Sequence, residues 1–549
     1  MHALLCCLAL MAASDEKYQA WVAAPVEMTA LPKSVGVALS TDELAKLAKG
    51  EPIMPFDAPK SGVRGPDGAI WVPSSRGVMY LAPGASRWKL FQSRAWLPAD
   101  DVQGLAISSD GSVIVQTPAG FGRLQQQSTT LGEKMATVNS QLQKLHVREG
   151  LVAEIYAKEP GRFDLEHEQP SSDNDGLWTS LYVAAEAFRY AVTGDESAKK
   201  NARRSLDALM FLERITGIPG FAARSIVAIA DDPKRYGGEW HRSADGKWWW
   251  KGDTSSDEVD GHYFAYSIYY DLAATDEEKK EIREYVTRIT DHILDHGFYY
   301  VGPPGKPTTW GVWAPERLNH DLKWIGDRGL NSLEILSHLK VASHIVGKPR
   351  YAEAAKELIE KHSYATNTVE QKRIFPPEAI NHSDDELAFL AYYPLVIYER
   401  DPELRKVYLA SIHRTWRIER PEHSPLFNFI YAAALQANEW TDPARRPEKA
   451  FVPPEEYDLA ESLEWLRDVL PDTTVWRYNN GGRRDVGNIT TNRFKRQRGT
   501  IALPPSERRV MRWNGDPYAL DGGSGGRERD DGAAILLPYW MGQYHRFIN

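Results

Sequence analysis

Asp257-Glu258-Val259-Asp260-Gly261-His262-Tyr263-Phe264-Ala265-Tyr266-Ser267-Ile268-Tyr269-Tyr270 opens on acids and continues with aromatic and small residues, without a charged face. A helix that is apolar all round must be buried all round. The run after Thr275 is the opposite, since acids and bases cover one side of it and leave an apolar stripe on the other. Together the two read as a hairpin with one enclosed helix and one helix that faces water.

Working outward, the same sentence is repeated. Asp173-Asn174-Asp175-Gly176 opens a run through Trp178, Tyr182, Phe188 and Tyr190, and a charged helix follows from about 196 to 215. Asp327-Arg328-Gly329-Leu330 opens a helix to about 345, with a partner from 350. His382-Ser383-Asp384-Asp385-Glu386 opens Leu387 to Tyr398, with a partner from about 402, and a fifth unit begins near Phe427. The openings at 173, 257, 327 and 382 are too unevenly spaced for a solenoid of identical units. An inner ring of buried helices wrapped by an outer ring fits better. The expected fold is therefore mainly α, an (α/α) toroid over 171–470, with all the polar openings at one mouth.

The flanks differ. Over 35–125 the pattern is short and alternating. Asp67-Gly68 precedes Ala69–Val72, a turn at Gly77 leads into Val78–Leu81, and Asp110-Gly111 precedes Ser112–Val115. Asp-Gly between alternating runs signals hairpins. The repeat has the length of a propeller blade, but the segment holds only about two, so a small β-rich, partial-propeller-like module docked on the next domain is expected. Residues 126–170 read as a polar connector. Residues 471–549 read as a loop-rich appendage with short strands, ending in the apolar run Ala533–Trp540.

Composition excludes several classes. With 549 residues, 42% of them hydrophobic and 26% charged, the chain is a folded globular protein of more than one domain. A net charge of −9 argues against a nucleic-acid binder. The basic run from Arg483 to Arg512 (Arg483, Arg484, Arg493, Lys495, Arg496, Arg498, Arg508, Arg509 and Arg512) lacks the aromatic interleaving of a stacking groove. It reads as a solvated loop surface, with polyanionic glycan binding as a second role. Cys6 and Cys7 are the only cysteines, which leaves no disulfide framework. Residues 1–14 resemble the apolar part of a secretory signal without its positive start, so a secreted or periplasmic location is expected. No other run is long enough to span a membrane.

The 18 Trp and 25 Tyr direct attention to flat ligands. Trp240, His241 and the triplet Trp248-Trp249-Trp250 precede the acidic opening at 257, and read either as a stacking wall for sugar rings or as pins holding a rim loop. Trp310, Trp313 and Trp324 surround Asn319-His320-Asp321, and a second Asn-His pair is Asn381-His382. Trp178 begins the first inner helix. Arg224 and Arg328 suit either a substrate carboxylate or a structural ion pair. The acids at the openings, among them Asp257 and Asp384, read first as helix N-caps, yet four acidic openings at one mouth exceed what capping requires. No phosphate loop, dinucleotide fingerprint or zinc-protease helix is present. No cofactor is required by the sequence, and a divalent metal has no ligand motif to support it.

These aromatic hairpins with Asp, Asn, His and Tyr at their mouths resemble helical polysaccharide lyases and (α/α)-barrel glycoside hydrolases over roughly half the chain. The resemblance to helical lyases implies β-elimination on a uronic-acid glycan by Asn319 or Asn381, with His382 beside it, together with His262, Tyr263 and Arg224. The resemblance to glycosidases implies a carboxylate pair, Asp175 with Asp260 or Glu258. Elimination is the leading expectation, hydrolysis the alternative, and a non-catalytic glycan-binding protein the third. In each case the partner is a poly- or oligosaccharide, acidic in the first.

Overall fold

The computed structural model describes residues 16–57, 59–374, 380–437, 456–491, 495–509 and 512–548. The expected leader at 1–14 lies outside them, as does Arg493. Besides two single turns at Pro315–Leu318 and Tyr364–Asn367, the α-helices in chain order are α1 (Thr41–Lys49), α2 (Leu131–Leu145), α3 (Asp175–Thr193), α4 (Glu196–Arg214), α5 (Ser256–Leu272), α6 (Asp276–Asp295), α7 (Arg328–Ile345), α8 (Pro349–His362), α9 (His382–Tyr398), α10 (Pro402–Glu419), α11 (Pro425–Ala437), α12 (Glu456–Asp468) and α13 (Ala533–Tyr544). The chain is mainly helical.

Six of these are buried along most of their length and show no charged face. α3 packs on α5, α5 on α7, α7 on α9, α9 on α11, α11 on α13 and α13 on α3. Their shared interior carries Tyr182, Phe188, Phe264, Phe389, Tyr392, Phe427 and Leu536, all buried. The amphipathic helices lie against them, α4 on α3, α6 on α5 and α7, α8 on α7, and α10 on α9 and α11. Burial explains why one sequence class goes inside: an all-apolar helix has no face to offer water, whereas α4, α6 and α10 each have one. The terminal run expected in the appendage is helix α13, which fills the place between α11 and α3.

The N-terminal module is two antiparallel sheets. One runs in the order Val37–Ala38, Val63–Arg64, Ile70–Ser74, Gly77–Leu81 and Lys89–Phe91. The other runs Tyr18–Val26, Gly120–Thr129, Val113–Thr117 and Gly104–Ile107. Trp21, Trp71, Phe91 and Trp96 fill the space between them. The module docks on the helices through the Lys89–Asp468 ion pair at 2.6 Å and the bond from Trp96 Nε1 to the Ser506 carbonyl at 3.2 Å. The connector contains a helix, α2, closed at its start by a Thr130–Glu133 capping box.

The basic run is solvated only in part: Arg484, Lys495 and Arg496 are exposed, whereas Arg483 and Arg508 are buried. Arg483 is fully buried between Asp485 and Glu507, both at 2.7 Å. Arg512 is half-buried among Glu154, Asp530 and Asp531, with its guanidinium 4.4 Å from the Trp178 ring centre. Among the described residues, no helix is long and apolar enough to cross a membrane.

Candidate functional site

The helix starts decide between capping and function. The outer helices α4, α6 and α10 are capped by their own residues: Asp195 accepts from the Ser197 amide at 2.8 Å, Thr275 and Glu278 form a reciprocal box, and Asp401 accepts from the amides of Glu403 and Leu404. The residues in the same position on α3, α5, α7 and α9 (Asn174, Ser255, Asp327 and Asn381) make no side-chain capping bond. The N-terminus of α3 is served from outside, by the buried Glu258 carboxylate on the amides of Gly176 and Leu177 at 3.0 and 2.7 Å. Polar side chains at these four starts are thereby available to one another.

A cleft of about 350 Å³ lies among three of these starts, lined by Ser255, Ser256 and Asp257 of the α5 start, Asp327, Leu330 and Asn331 of α7, and Asn381, Ser383, Asp384 and Leu387 of α9. Arg224, Arg373, Trp310 and Trp324 complete the wall, with Trp310 53% exposed. Asn174 joins α3 to the group, donating to Asp257 Oδ2 at 3.1 Å and accepting from Arg224 and Ser255 at 3.1 and 2.9 Å. Arg224 spends three of its five N–H donors on the wall, since its guanidinium also donates to the carbonyls of Asp173 and Asp253 at 2.7 and 3.2 Å. It braces the wall and keeps one N–H on each terminal nitrogen.

Three carboxyls share this space. Burial, then the negative charges of Asp327 and Asp257, push the Asp384 carboxyl up to about 7, against the opposing pull of Lys372 and Arg373. Asn381 holds its Oδ1 with an amide donor at 2.7 Å. Burial also raises Asp257, but Arg224, Ser255 and Asn174 favour its charged form. Burial raises Asp327, and Arg373, 3.9 Å away, opposes it. Helix N-termini ordinarily favour the anion. Here desolvation and like charge outweigh that for Asp384.

The other expected site residues lie elsewhere. His262 and Tyr263 are each 1% exposed; His262 Nδ1 meets Tyr266 Oη at 3.1 Å and Tyr263 Oη meets Thr290 at 2.6 Å. Both sit on the part of α5 that faces the core, away from the cleft wall. Asp175 is fully buried, held by Arg148 at 2.8 Å and by Ser225 and Ser172. Asp260 lies a turn below the cleft with no exposure to it. His382 turns toward the appendage, between Asp385, Glu422 and Asp516. Asn319 donates to the His362 carbonyl and accepts from Asn367, which ties loops together. Arg328 pairs with Glu370 at 2.5 Å.

The tryptophan triplet forms a strand, not a loop. Trp248–Lys251 lies between Ser225–Ala228 and Trp240–Arg242, so alternation sends Trp248 and Trp250 to one face and Trp249 to the other. Trp250 is buried and stacked on His241 at 4.3 Å, and Trp248 meets Phe211 of α4 edge-on at 5.7 Å. Trp240 donates to the Gly237 carbonyl at 2.6 Å. Trp178 lies under Arg512, and Trp313 is buried. Of the eight residues expected to bind substrate, Trp310 alone lines the cleft. Arg373, Asn331 and Ser383 escaped sequence reading because neither a motif nor a composition shift marks them.

Gly329, in the first turn of α7, shapes the wall. A Cβ there would lie 2.6 Å from the backbone of Glu370 and Gln371. Gly329→Ala is therefore expected to push back the turn that carries Lys372 and Arg373 and to cost about 1–3 kcal/mol, read as a lower denaturant midpoint.

Among the described residues, no group of three or more His, Cys, Asp or Glu side chains could hold a metal ion. No protein-family model and no curated protein sequence matches the chain. Solved structures similar to it are carbohydrate-active enzymes. A family 76 glycoside hydrolase from a bovine Bacteroides thetaiotaomicron strain has 8% identity and a TM-score of 0.38, over 86% of this chain and 94% of that one. Unsaturated glucuronyl hydrolase from Streptococcus agalactiae has 12% identity and a TM-score of 0.34, over 76% and 91%. Endoglucanase CelQ from Clostridium thermocellum, complexed with cellotriose, has 11% identity and a TM-score of 0.38, over 75% and 70%. At these values the likeness carries no argument about reaction or substrate, which rest on the chain's own residues.

Proposed function

We propose that the six apolar helices form the inner ring of an (α/α) toroid and that the cleft at its mouth hydrolyses a glycosidic bond in an oligosaccharide. The observation that carries this reading is the meeting of Asp257 and Asp384 in one cleft, with Asp384 raised to about 7. Hydrolysis needs one carboxylic acid to protonate the leaving oxygen and one carboxylate to act as base or nucleophile. Asp384 is the acid, since it keeps its proton near neutrality. Asp257 takes the carboxylate's part, since Arg224 and Asn174 oppose the rise that burial gives it. Trp310 and Trp324 offer flat faces to the sugar rings.

Elimination is the weaker reading. Neither a histidine nor a tyrosine lines the cleft to move the proton that elimination requires. A neutral or weakly charged glycan is the fitting substrate, bound in a secreted or periplasmic setting if the leader acts as its composition suggests. The test is incubation with a panel of neutral and uronate oligosaccharides. New reducing ends without an ultraviolet-absorbing unsaturated sugar support hydrolysis. An absorbing product would overturn it in favour of elimination, and binding without cleavage in favour of a glycan-binding protein.

The pH dependence follows from Asp384. A raised carboxyl is in its acid form below about 7 and loses that form above it, so kcat/KM is expected to fall by about tenfold per pH unit on the alkaline side. A profile flat from neutral to alkaline pH would remove Asp384 as the acid.

A further inference from the structure

Behind the cleft wall, at the start of α9, a second group of ionisable side chains has charges that do not balance. Lys372 Nζ donates to Asp385 Oδ2 at 2.5 Å and lies 2.8 Å from Glu419 Oε1. Glu422, in the turn Arg420–Glu422 that follows α10, is hydrogen-bonded to Glu419, carboxyl to carboxyl. All four side chains are buried. One ammonium thus faces three carboxyl groups.

Two carboxylates only accept, so a hydrogen bond between them requires that one keep a proton. The neighbours decide which. The Lys372 ammonium touches Glu419 and favours its charged form. Glu422 has no such contact: among the described residues its ion-pair partner is His382, whose Nδ1 lies 3.5 Å from Glu422 Oε1. We propose that Glu422 is a carboxylic acid at neutral pH and donates its O–H to the Glu419 carboxylate. That proton is a pH-sensitive clasp between the end of α10, the start of α9 and the turn that carries Lys372 and Arg373.

The groups around Glu422 agree with this. Burial raises it well above the ordinary carboxylate range, and the charges of Glu419 and Asp385 raise it further against the pull of Lys372. His382 also lies 3.6 Å from Asp385 and from Asp516, but burial pushes its imidazole down to about 4, so it is neutral at pH 7. From the appendage, Asp516 pairs with Arg498 at 3.3 Å, and Tyr518 is raised by burial and stays a phenol. Arg508 is buried over the Trp465 ring, 5.2 Å from its centre, and feels Glu422 at a distance. Across the turn, His423 is paired with Glu461 and Arg420 with Asp458. With the proton on Glu422, Lys372 and Arg508 balance Asp385 and Glu419. A group raised in the folded state contributes stability that is complete below the ordinary carboxylate range and is lost as pH climbs toward the folded value.

The experiment is denaturant unfolding of the full chain and of single variants across pH. Glu422→Gln keeps the shape, and its N–H₂ donates to Glu419 with no proton to lose. Its folding equilibrium constant is expected to match the parent's within about threefold near pH 5 and to gain on it by up to about tenfold per pH unit above that. Glu419→Gln removes the charge that faces Lys372 and is expected to lower the constant by about tenfold or more even near pH 5; failure of this variant to fold is the same result in its extreme. An infrared difference spectrum between the parent and Glu422→Gln at neutral pH should contain one carboxylic-acid C=O band that the variant lacks. Parallel pH profiles, the absence of that band, or equal losses in the two variants near pH 5 overturn the proposal. A proton held by His382 would flatten the profile in His382→Gln and not in Glu422→Gln, which overturns it as well. None of these measurements needs a substrate, so their outcome is independent of the glycosidase reading.

Discussion

Asp384→Asn is expected to lower kcat about 10²- to 10⁴-fold while the variant melts close to its parent. The substitution keeps shape and the hydrogen bond with Asn381 but removes the transferable proton, and it relieves repulsion with Asp327 and Asp257, so folding has little to lose. Steady-state hydrolysis beside a melting curve is the measurement. A substrate with a leaving group that needs no protonation should recover much of the loss, since only the acid's task is missing. Asp257→Asn should lose activity on both kinds of substrate. If Asp384→Asn retains full turnover on an unactivated oligosaccharide, the assignment of the two carboxyls falls.

Lys372→Met is expected to destabilise the fold by about 3–5 kcal/mol at neutral pH. Lys372 is 5% exposed and pairs with Asp385 at 2.5 Å and Glu419 at 2.8 Å, both nearly inaccessible, while Glu422 lies buried beside Glu419. Burial disfavours the ammonium, but the two carboxylates more than offset this and hold its pKa above the usual value. Methionine fills the space and removes the counter-charge, leaving carboxylates that must take up protons to remain buried. The deficit, read from denaturant midpoints, should therefore shrink as pH is lowered. A deficit that does not vary with pH would mean that packing, not charge, is what Lys372 supplies.

The hairpin grammar was legible because it rests on local chemistry. Apolar runs such as Leu387–Val396 have no alternative to burial, and charged runs such as Asp276–Asp295 have one face to show to water, so inner and outer helices separate by inspection. Asp-Gly steps marked the strands of the N-terminal module for the same reason. The site was only half legible. The convergence of helix starts followed from alternating hairpins, and Arg224, Trp310 and Asn381 were found with it. Sequence gave no means of telling Asp257 from Asp260, or Asp384 from Asp385. Within a helix these differ only in the direction a side chain takes, which neighbours on α7 and α9 decide. His262 and Tyr263 drew notice as polar groups beside acids, although Thr290 takes up the Tyr263 hydroxyl and Tyr266 one ring nitrogen of His262 inside the core. The capping residues could have helped, because Ser, Asn and Asp at a helix start with no bond to their own amides must spend their polarity elsewhere.

The placement of α13 between α3 and α11 also bears on biosynthesis. The faces it covers are translated far earlier than Ala533–Tyr544, so a growing chain carries them bare until that helix leaves the ribosome. Maturation would then be governed by late closure and not by stepwise accretion of hairpins, and holdase chaperones would find their binding surface on the first and fifth apolar helices of the nascent polypeptide.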